Sequence, residues 1–302
     1  MRVLFAAPAP MWAEWAPALT AACPEMDLRR SGDPAGFDAI IYAPGGEIED
    51  LSPYVRARLV QSLWAGVERI VTNPSLTQPL ARMVDPGLSR GMAEYCTGWV
   101  MRAHLGMDRY AQDGIWRNGQ VPPLAGDRRV TILGMGELGR AVAAMLAPIG
   151  FRLTGYSASG RAVDGVRSLG GDDPGAALDG AEILVSLLPD TPATRNLLDA
   201  GRLSRLARGA WIINPGRGTL IDEAALISAL DDGHLGHAVL DVFRTEPLPP
   251  GHPFWAHPGV TVTPHIAADT RPETAAPVVA DNLRRAMAGR PVRHLVDRVR
   301  GY

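Results

Sequence analysis

At 302 residues, with 46% hydrophobic and 21% charged side chains, the chain has the composition of an ordinary globular protein, long enough for two domains. A net charge of −2 offers no basic field to nucleic acid or an anionic membrane, and no apolar run approaches the roughly 18 residues that span a bilayer. There is no lysine, all thirty basic residues being arginine, which removes P-loop phosphate binding, Schiff-base and pyridoxal chemistry and kinase catalysis.

The N-terminus, MRVLFAAPAPMWAEW, reads as a strand and a turn, with a signal peptide as the alternative. Two distant cysteines, Cys23 and Cys96, form no disulfide framework and no metal motif, which suits a reducing cytoplasm. Residues 1–97 read as small α/β units. Val3–Ala7 is a strand, Trp12–Ala22 a helix and Ala39–Tyr42 a strand running into Ala43-Pro44-Gly45-Gly46. Pro53–Ala57 is expected to open a helix, Leu59–Leu63 a strand, and Trp64-Ala65-Gly66-Val67-Glu68 a turn into a short helix. Ligands in open α/β sheets sit beyond the carboxyl ends of strands, so both glycine-bearing turns are candidate ligand contacts or plain loops.

Gly91–Gly106 has an apolar helical face (Ala93, Cys96, Val100, Met101, Leu105) and is expected to cross into the second domain. Residues 111–129 are polar and turn-rich. The stretch VTILGMGELG follows: a strand ends at Leu133, Gly134-x-Gly136-x-x-Gly139 turns, and a helix begins with Leu138, Val142 and Leu146. This is the dinucleotide fingerprint between the strand and helix it requires. Gly134 suits the tight turn, Gly136 the approach of a pyrophosphate, Gly139 close helix–strand packing, and the amides of Glu137 and Leu138 face the phosphates. The bland alternative is a tight turn that binds nothing.

Regular βα alternation then continues through strands Arg152–Tyr156, Glu182–Leu187, Trp211–Asn214, Ala238–Val242 and Val260–Thr263, with helix Glu223–Leu230. That alternation predicts a doubly wound parallel sheet. Pro272–Gly289 is a last helix carrying the tail back to the first domain. After strand Arg152–Tyr156 stand Ser157, Ser159 and Arg161 with no carboxylate, where an NAD-preferring site places Asp or Glu. Arg and Ser suit a 2′-phosphate, so NADPH is expected over NADH. Arg217, Asp241, Glu246 and His265 all sit at or just past successive strand ends, where they can converge on one crevice. Each alone also reads blandly: a surface arginine, a capped core imidazole, a solvated turn glutamate.

The runs INPGRGTLIDEAAL, LDVFRTEPLP and HPFWAHPGVTVTPHIA resemble the D-2-hydroxyacid dehydrogenase family. The ending VDRVRGY and the Trp64–Glu68 turn resemble its glyoxylate/hydroxypyruvate reductase A branch. The resemblance implies a Rossmann domain over 98–267, inserted in a smaller flavodoxin-like α/β substrate domain built from 1–97 and the tail 268–302. It implies NAD(P)H-dependent reduction of a small 2-keto acid to the D-2-hydroxy acid, in a cytoplasmic homodimer formed through the crossing-helix region, with no metal, nucleic acid or membrane partner. Arg217 would hold and polarise the keto acid, His265 protonate its carbonyl oxygen, and Glu246 orient the imidazole. Amides near Ala65, Gly66 and Val67 would bind the substrate carboxylate, with Tyr42, Trp64 and Trp255 as candidate pocket walls or, equally, core residues. Asp241 would meet the nicotinamide carboxamide, Leu188, Pro189 and Thr194 the adenosine side, and Pro215, Gly216 and Ala267 the remaining cofactor contacts. The alternatives left open are a bulkier 2-keto acid, suggested by Gly45-Gly46, and a non-enzymatic dinucleotide-sensing scaffold on the same fold.

Overall fold

A computed structural model of the chain describes residues 1–109, 114–116, 118–119, 121–298 and 301. Part of the turn-rich 111–129 stretch and part of the VDRVRGY ending therefore lie outside the described residues.

The strands and helices, in chain order, are β1 (Arg2–Ala6), α1 (Ala9–Ala22), β2 (Asp27–Arg29), β3 (Ala39–Tyr42), β4 (Val60–Ser62), α2 (Glu68–Val71), β5 (Leu80–Ala81) and α3 (Pro86–Leu105). Then come β6 (Arg129–Leu133), α4 (Glu137–Leu146), β7 (Arg152–Tyr156), β8 (Arg167–Leu169), α5 (Gly175–Leu178), β9 (Ile183–Ser186), α6 (Ala200–Leu203) and β10 (Ala210–Asn214). The chain closes with α7 (Glu223–Asp231), β11 (Leu235–Leu240), α8 (Pro253–Ala256), β12 (Val260–Val262) and α9 (Pro272–Met287). Two compact units result: Met1–Leu88 with Asp269–Tyr302, and Ser89–Ala268. The first passage between them falls inside α3, nine residues before the 97/98 division expected from the sequence.

The first unit holds a five-stranded parallel sheet in the order β2-β1-β3-β4-β5, the flavodoxin-like arrangement. Its central strands β1 and β3 are apolar and buried apart from Arg2 because both faces are covered. Val3, Phe5 and Ile41 join Trp15 and Leu19 of α1 and Val279 and Leu283 of α9 on one face, while Leu4, Ile40 and Val60 pack with Phe37 and Leu51 on the other. The second unit holds a seven-stranded parallel sheet, β12-β11-β10-β9-β6-β7-β8. Counted from β6 this is the doubly wound Rossmann order extended by one strand, with the reversal between β6 and β9. Alternation again splits the faces, Leu184 and Ile212 to one side and Ile183, Val185 and Ile213 to the other.

Three differences from the sequence reading have physical causes. Pro53–Ala57 is not a helix: Tyr54 N–H donates to Leu51 O and Ala57 N–H to Tyr54 O, so successive turns bury Leu51, Tyr54 and Ala57 at a helix-like spacing of three. Helix α3 begins at Pro86 rather than Gly91, because the Asp85 carboxylate accepts from Gly87 N–H and Leu88 N–H, with Pro86 in the first turn. The strands missing from the sequence reading, β2, β5 and β8, are edge strands of only two or three residues.

Candidate active site

The fingerprint turn sits at the reversal point of the second sheet. Gly134 has φ +100°, and a β-carbon there would lie 2.7 Å from the backbone of Leu187 at the end of β9. Gly139 packs so closely under the turn that a β-carbon would fall 2.0 Å from Gly134 O. Gly136 is the opposite case: it caps α4 in extended geometry, no side chain caps the helix, and a β-carbon would meet nothing within 4 Å. The first amides of α4, at Glu137, Leu138 and Gly139, thus lie at an open helix N-terminus suited to an anion. Glu137 forms an ion pair with Arg140 on the same turn. Met135, between the first two glycines, is an anchor that the fingerprint alone does not reveal: it is buried against β7, where a β-carbon on Gly155 would meet its sulfur at 2.7 Å.

Beyond β7, Ser157 and Ser159 hydroxyls lie 3.3 Å apart, and the Arg161 amide donates to Ser159 Oγ at 3.4 Å. The loop is closed by Gly160 at φ +59° against Gly170. Beyond β9, Leu188 is half-buried, and the Thr194 hydroxyl donates to Pro189 O at 2.6 Å and accepts from Thr191 N–H at 2.8 Å, fixing the 189–194 loop. These residues present amides, hydroxyls and a guanidinium around an uncapped helix, the donor set a phosphorylated dinucleotide needs.

Beyond β10, Arg217 stands in extended backbone between two glycines that cannot be anything else. A β-carbon on Gly216 would come 2.7 Å from Ser186 O, and one on Gly218 would come 2.1 Å from the Phe243 backbone. Buried Asn214 spans the turn, donating to Arg217 O at 3.0 Å and accepting from Gly216 N–H at 3.2 Å, while Arg217 Nη1 donates to Gly216 O at 2.7 Å. Pro215 lies inside this bracket.

Beyond β11 and β12 the remaining groups meet. His265 Nδ1 lies 2.8 Å from Glu246 Oε2, and the other oxygen of Glu246 accepts from Phe243 N–H at 2.8 Å. The imidazole is about half exposed, so its free edge faces solvent. His265 adopts φ +56°, unusual for a residue with a side chain, and Asp241 holds that conformation. Fully buried, Asp241 accepts from Thr263 Oγ1 at 2.6 Å, Ile266 N–H at 2.9 Å and Ala267 N–H at 2.9 Å, and its carbonyl accepts from His265 N–H at 2.9 Å. Tyr95 of α3 extends the chain through a 2.7 Å hydrogen bond with Thr263 Oγ1. Burial, reinforced by the Asp241 charge, pushes the Tyr95 phenol and the Cys96 thiol well above their ordinary values, so neither ionises there.

In the first unit, Tyr42 is buried at the end of β3, its phenol pushed up by burial. Ala65 and Gly66 are half-buried and Val67 caps α2. The turn is set by Ser62, whose hydroxyl donates to Trp64 O and accepts from Trp64 N–H, both at 2.9 Å. Trp64 packs against the first core, whereas Trp255 of the second unit is exposed and bonded to Pro249 O.

Residues 99–267 match the family model described as D-isomer specific 2-hydroxyacid dehydrogenase, NAD binding domain. Over the whole of both chains the protein is 38% identical to glyoxylate/hydroxypyruvate reductase A of Serratia proteamaculans. The chain belongs to the D-isomer-specific 2-hydroxyacid dehydrogenase family. A dehydrogenase of this family from Xanthobacter autotrophicus, solved in complex with NADPH and MES, matches with a TM-score of 0.93 at 39% identity, over 100% of this chain and 99% of that one. The NADPH-dependent glyoxylate/hydroxypyruvate reductase of Sinorhizobium meliloti, solved with NADP and sulfate, matches at 0.89 and 34% over the same shares. In this 2-hydroxyacid dehydrogenase chain, Asn214, Thr263 and Tyr95 are positioning groups that sequence reasoning did not single out. Asn214 alone carried a signal, an Asn at a strand end before Pro-Gly, where Asx turns form.

Proposed function

We propose that the chain reduces a small 2-keto acid of the glyoxylate or hydroxypyruvate kind to the D-2-hydroxy acid, using NADPH. The carrying observation is the 2.8 Å His265–Glu246 pair, on a turn fixed by buried Asp241, one strand from the glycine-bracketed Arg217 of a Rossmann sheet. The names of the Serratia and Sinorhizobium relatives and the NADPH held by the Xanthobacter structure support substrate class and cofactor.

NADPH, when bound, supplies the hydride. Gly134, Gly136, Glu137, Leu138 and Gly139 hold its pyrophosphate, Ser157, Ser159 and Arg161 its 2′-phosphate, and Leu188, Pro189 and Thr194 its adenosine side. Asp241 would meet the nicotinamide carboxamide, and Pro215, Gly216 and Ala267 would supply the remaining cofactor contacts. Arg217 engages the keto acid through its planar fork and draws charge toward the carbonyl oxygen. His265 delivers a proton to that oxygen from Nε2, since Nδ1 is committed to Glu246, whose carboxylate orients the ring. In the first unit, the amides of Ala65, Gly66 and Val67 and the Tyr42 side chain are assigned to the substrate. A homodimer is supported by exposed apolar side chains at Met107, Ile115, Trp116, Val121 and Leu124. A cytoplasmic location is supported by two free, buried cysteines; no described helix is long and apolar enough to cross a membrane.

The test is NADPH oxidation with a panel of 2-keto acids, with NADH in parallel. Arg217→Ala and His265→Ala should each lower kcat/KM about a hundredfold or more while NADPH still binds. Activity within a few-fold of wild type in either variant overturns the assignment. Turnover of bulkier acids alone moves the substrate and leaves the mechanism; silence with NADPH bound favours a dinucleotide-sensing scaffold.

A further inference from the structure

We propose that Arg244 is a positioning residue for this reaction, fastening the loop that carries Glu246 to the chain that runs on from Arg217. The inference rests on the roles given above to Arg217, Glu246 and His265. Arg244 lies two residues before Glu246, beyond β11. Its Nη2 donates to the carbonyl of Ile221 at 2.5 Å, to the carbonyl of Thr219 at 3.4 Å and to the side-chain oxygen of Asn196. Its Nε lies 3.8 Å from Glu223 Oε1, and the other oxygen of Glu223 lies 3.6 Å from His252 Nε2. Thr219, Ile221 and Glu223 all belong to the segment following Arg217. Asn196 is itself tied to that segment, donating its amide to Thr219 O at 2.9 Å from a left-handed backbone, φ +51°.

The next residue back completes the coupling. The Phe243 amide holds Glu246 Oε1, and the Phe243 backbone occupies the space that any side chain at position 218 would need. The Arg217 turn is therefore gripped at Gly218 by close packing and at 219–223 by the Arg244 guanidinium. Together the two contacts tie the loop that places Glu246 to the segment that follows Arg217. An arginine fits because two nitrogens of its guanidinium act at once, Nη2 on Asn196 and Ile221 and Nε toward Glu223.

A double-mutant cycle on the purified enzyme with NADPH and a turned-over 2-keto acid tests this. Arg244→Met should lower kcat about tenfold with KM for NADPH unchanged, since small displacements of a reacting group are costly. In an Glu246→Gln background the same change should cost less than about twofold, because the loop no longer has a carboxylate to place. Arg244→Met as fast as wild type overturns the proposal. So does a loss repeated in full in the Glu246→Gln background, the mark of a purely structural staple. Should Arg244→Met fail to fold, Asn196→Gly, which removes one acceptor and takes the left-handed backbone without strain, carries the same test with an expected loss of about threefold. If instead Glu246→Gln itself is as fast as wild type, the reading of the site fails and this inference with it, an outcome distinct from a slow Glu246→Gln enzyme indifferent to Arg244.

Discussion

At the scale of single residues, the site is built from side chains that fix backbone as much as from those that do chemistry. Asp241 shows this most plainly. Read from the sequence it is a cofactor contact; in the folded chain both its oxygens accept hydrogen bonds from Thr263, Ile266 and Ala267, and its main effect is to hold His265 in a left-handed conformation. Sequence gave no hint, because the three donors lie more than twenty residues away. Ser157 is the contrasting case, where position alone carries the argument. It stands at the end of β7, where a carboxylate would bond a ribose 2′-hydroxyl and repel a 2′-phosphate. Ser157→Asp should therefore swing the ratio of kcat/KM for NADPH over NADH toward NADH by about a hundredfold, the scale of lost charge-assisted hydrogen bonds plus repulsion. Steady-state kinetics with both cofactors checks this, and an unchanged ratio removes the 157–161 loop from cofactor choice.

At the scale of elements, the fingerprint turn separates folding from binding. Gly139 and Gly136 look equivalent in the motif, yet the structure gives them different duties. A methyl at Gly139 would fall 2.0 Å from Gly134 O, so the strand–turn–helix unit would have to open. Gly139→Ala should lower unfolding stability by about 1–3 kcal/mol, the usual range for overpacking. A methyl at Gly136 meets open space at a φ of −75° that alanine adopts readily. Gly136→Ala should change stability by no more than about 0.5 kcal/mol, yet weaken NADPH binding because the methyl takes the place of a close phosphate. Thermal unfolding and cofactor titration of the two variants check both halves; full-strength NADPH binding by Gly136→Ala would falsify the pyrophosphate assignment. The helix expected at Pro53–Ala57 shows the limit of pattern reading at this scale. Turns that bury every third residue produce the same apolar spacing as a helix, and only the backbone hydrogen bonds tell them apart.

At the scale of the whole molecule, the C-terminal helix α9 completes the N-terminal unit by covering α1 and one face of the first sheet. Leu283 of α9 is fully buried there, so Leu283→Ala should destabilise that unit by about 2–5 kcal/mol in denaturant unfolding, the range for deleting a buried leucine side chain. The same contact has a surface tie, Arg284 to Glu25 at 2.7 Å. The Arg284 hydrogen bond, aided by a backbone bond, holds the Glu25 carboxyl at about 2 against an ordinary 4.5. A depressed carboxylate contributes above pH 4.5 and its contribution is lost as pH falls toward 2. Being exposed, the pair contributes little. Unfolding at neutral pH should thus separate Leu283→Ala clearly from wild type, while Glu25→Gln stays near wild type and any difference disappears in acid.

The sequence by itself determined the βα alternation, the dinucleotide turn and the order of Arg217, Asp241, Glu246 and His265 along the chain, because strand ends, glycine turns and apolar periods are local properties of neighbouring residues. The family followed from the same runs. What only the tertiary structure decided are the contacts between segments distant in the chain. These are the closure of the first sheet's core by α9, the burial of Asp241 among the amides of 266 and 267, and the Arg244 tie to Asn196 and Ile221. Those contacts depend on which strand ends the sheet order makes neighbours, and strand order is set by packing of both sheet faces, which no local period records.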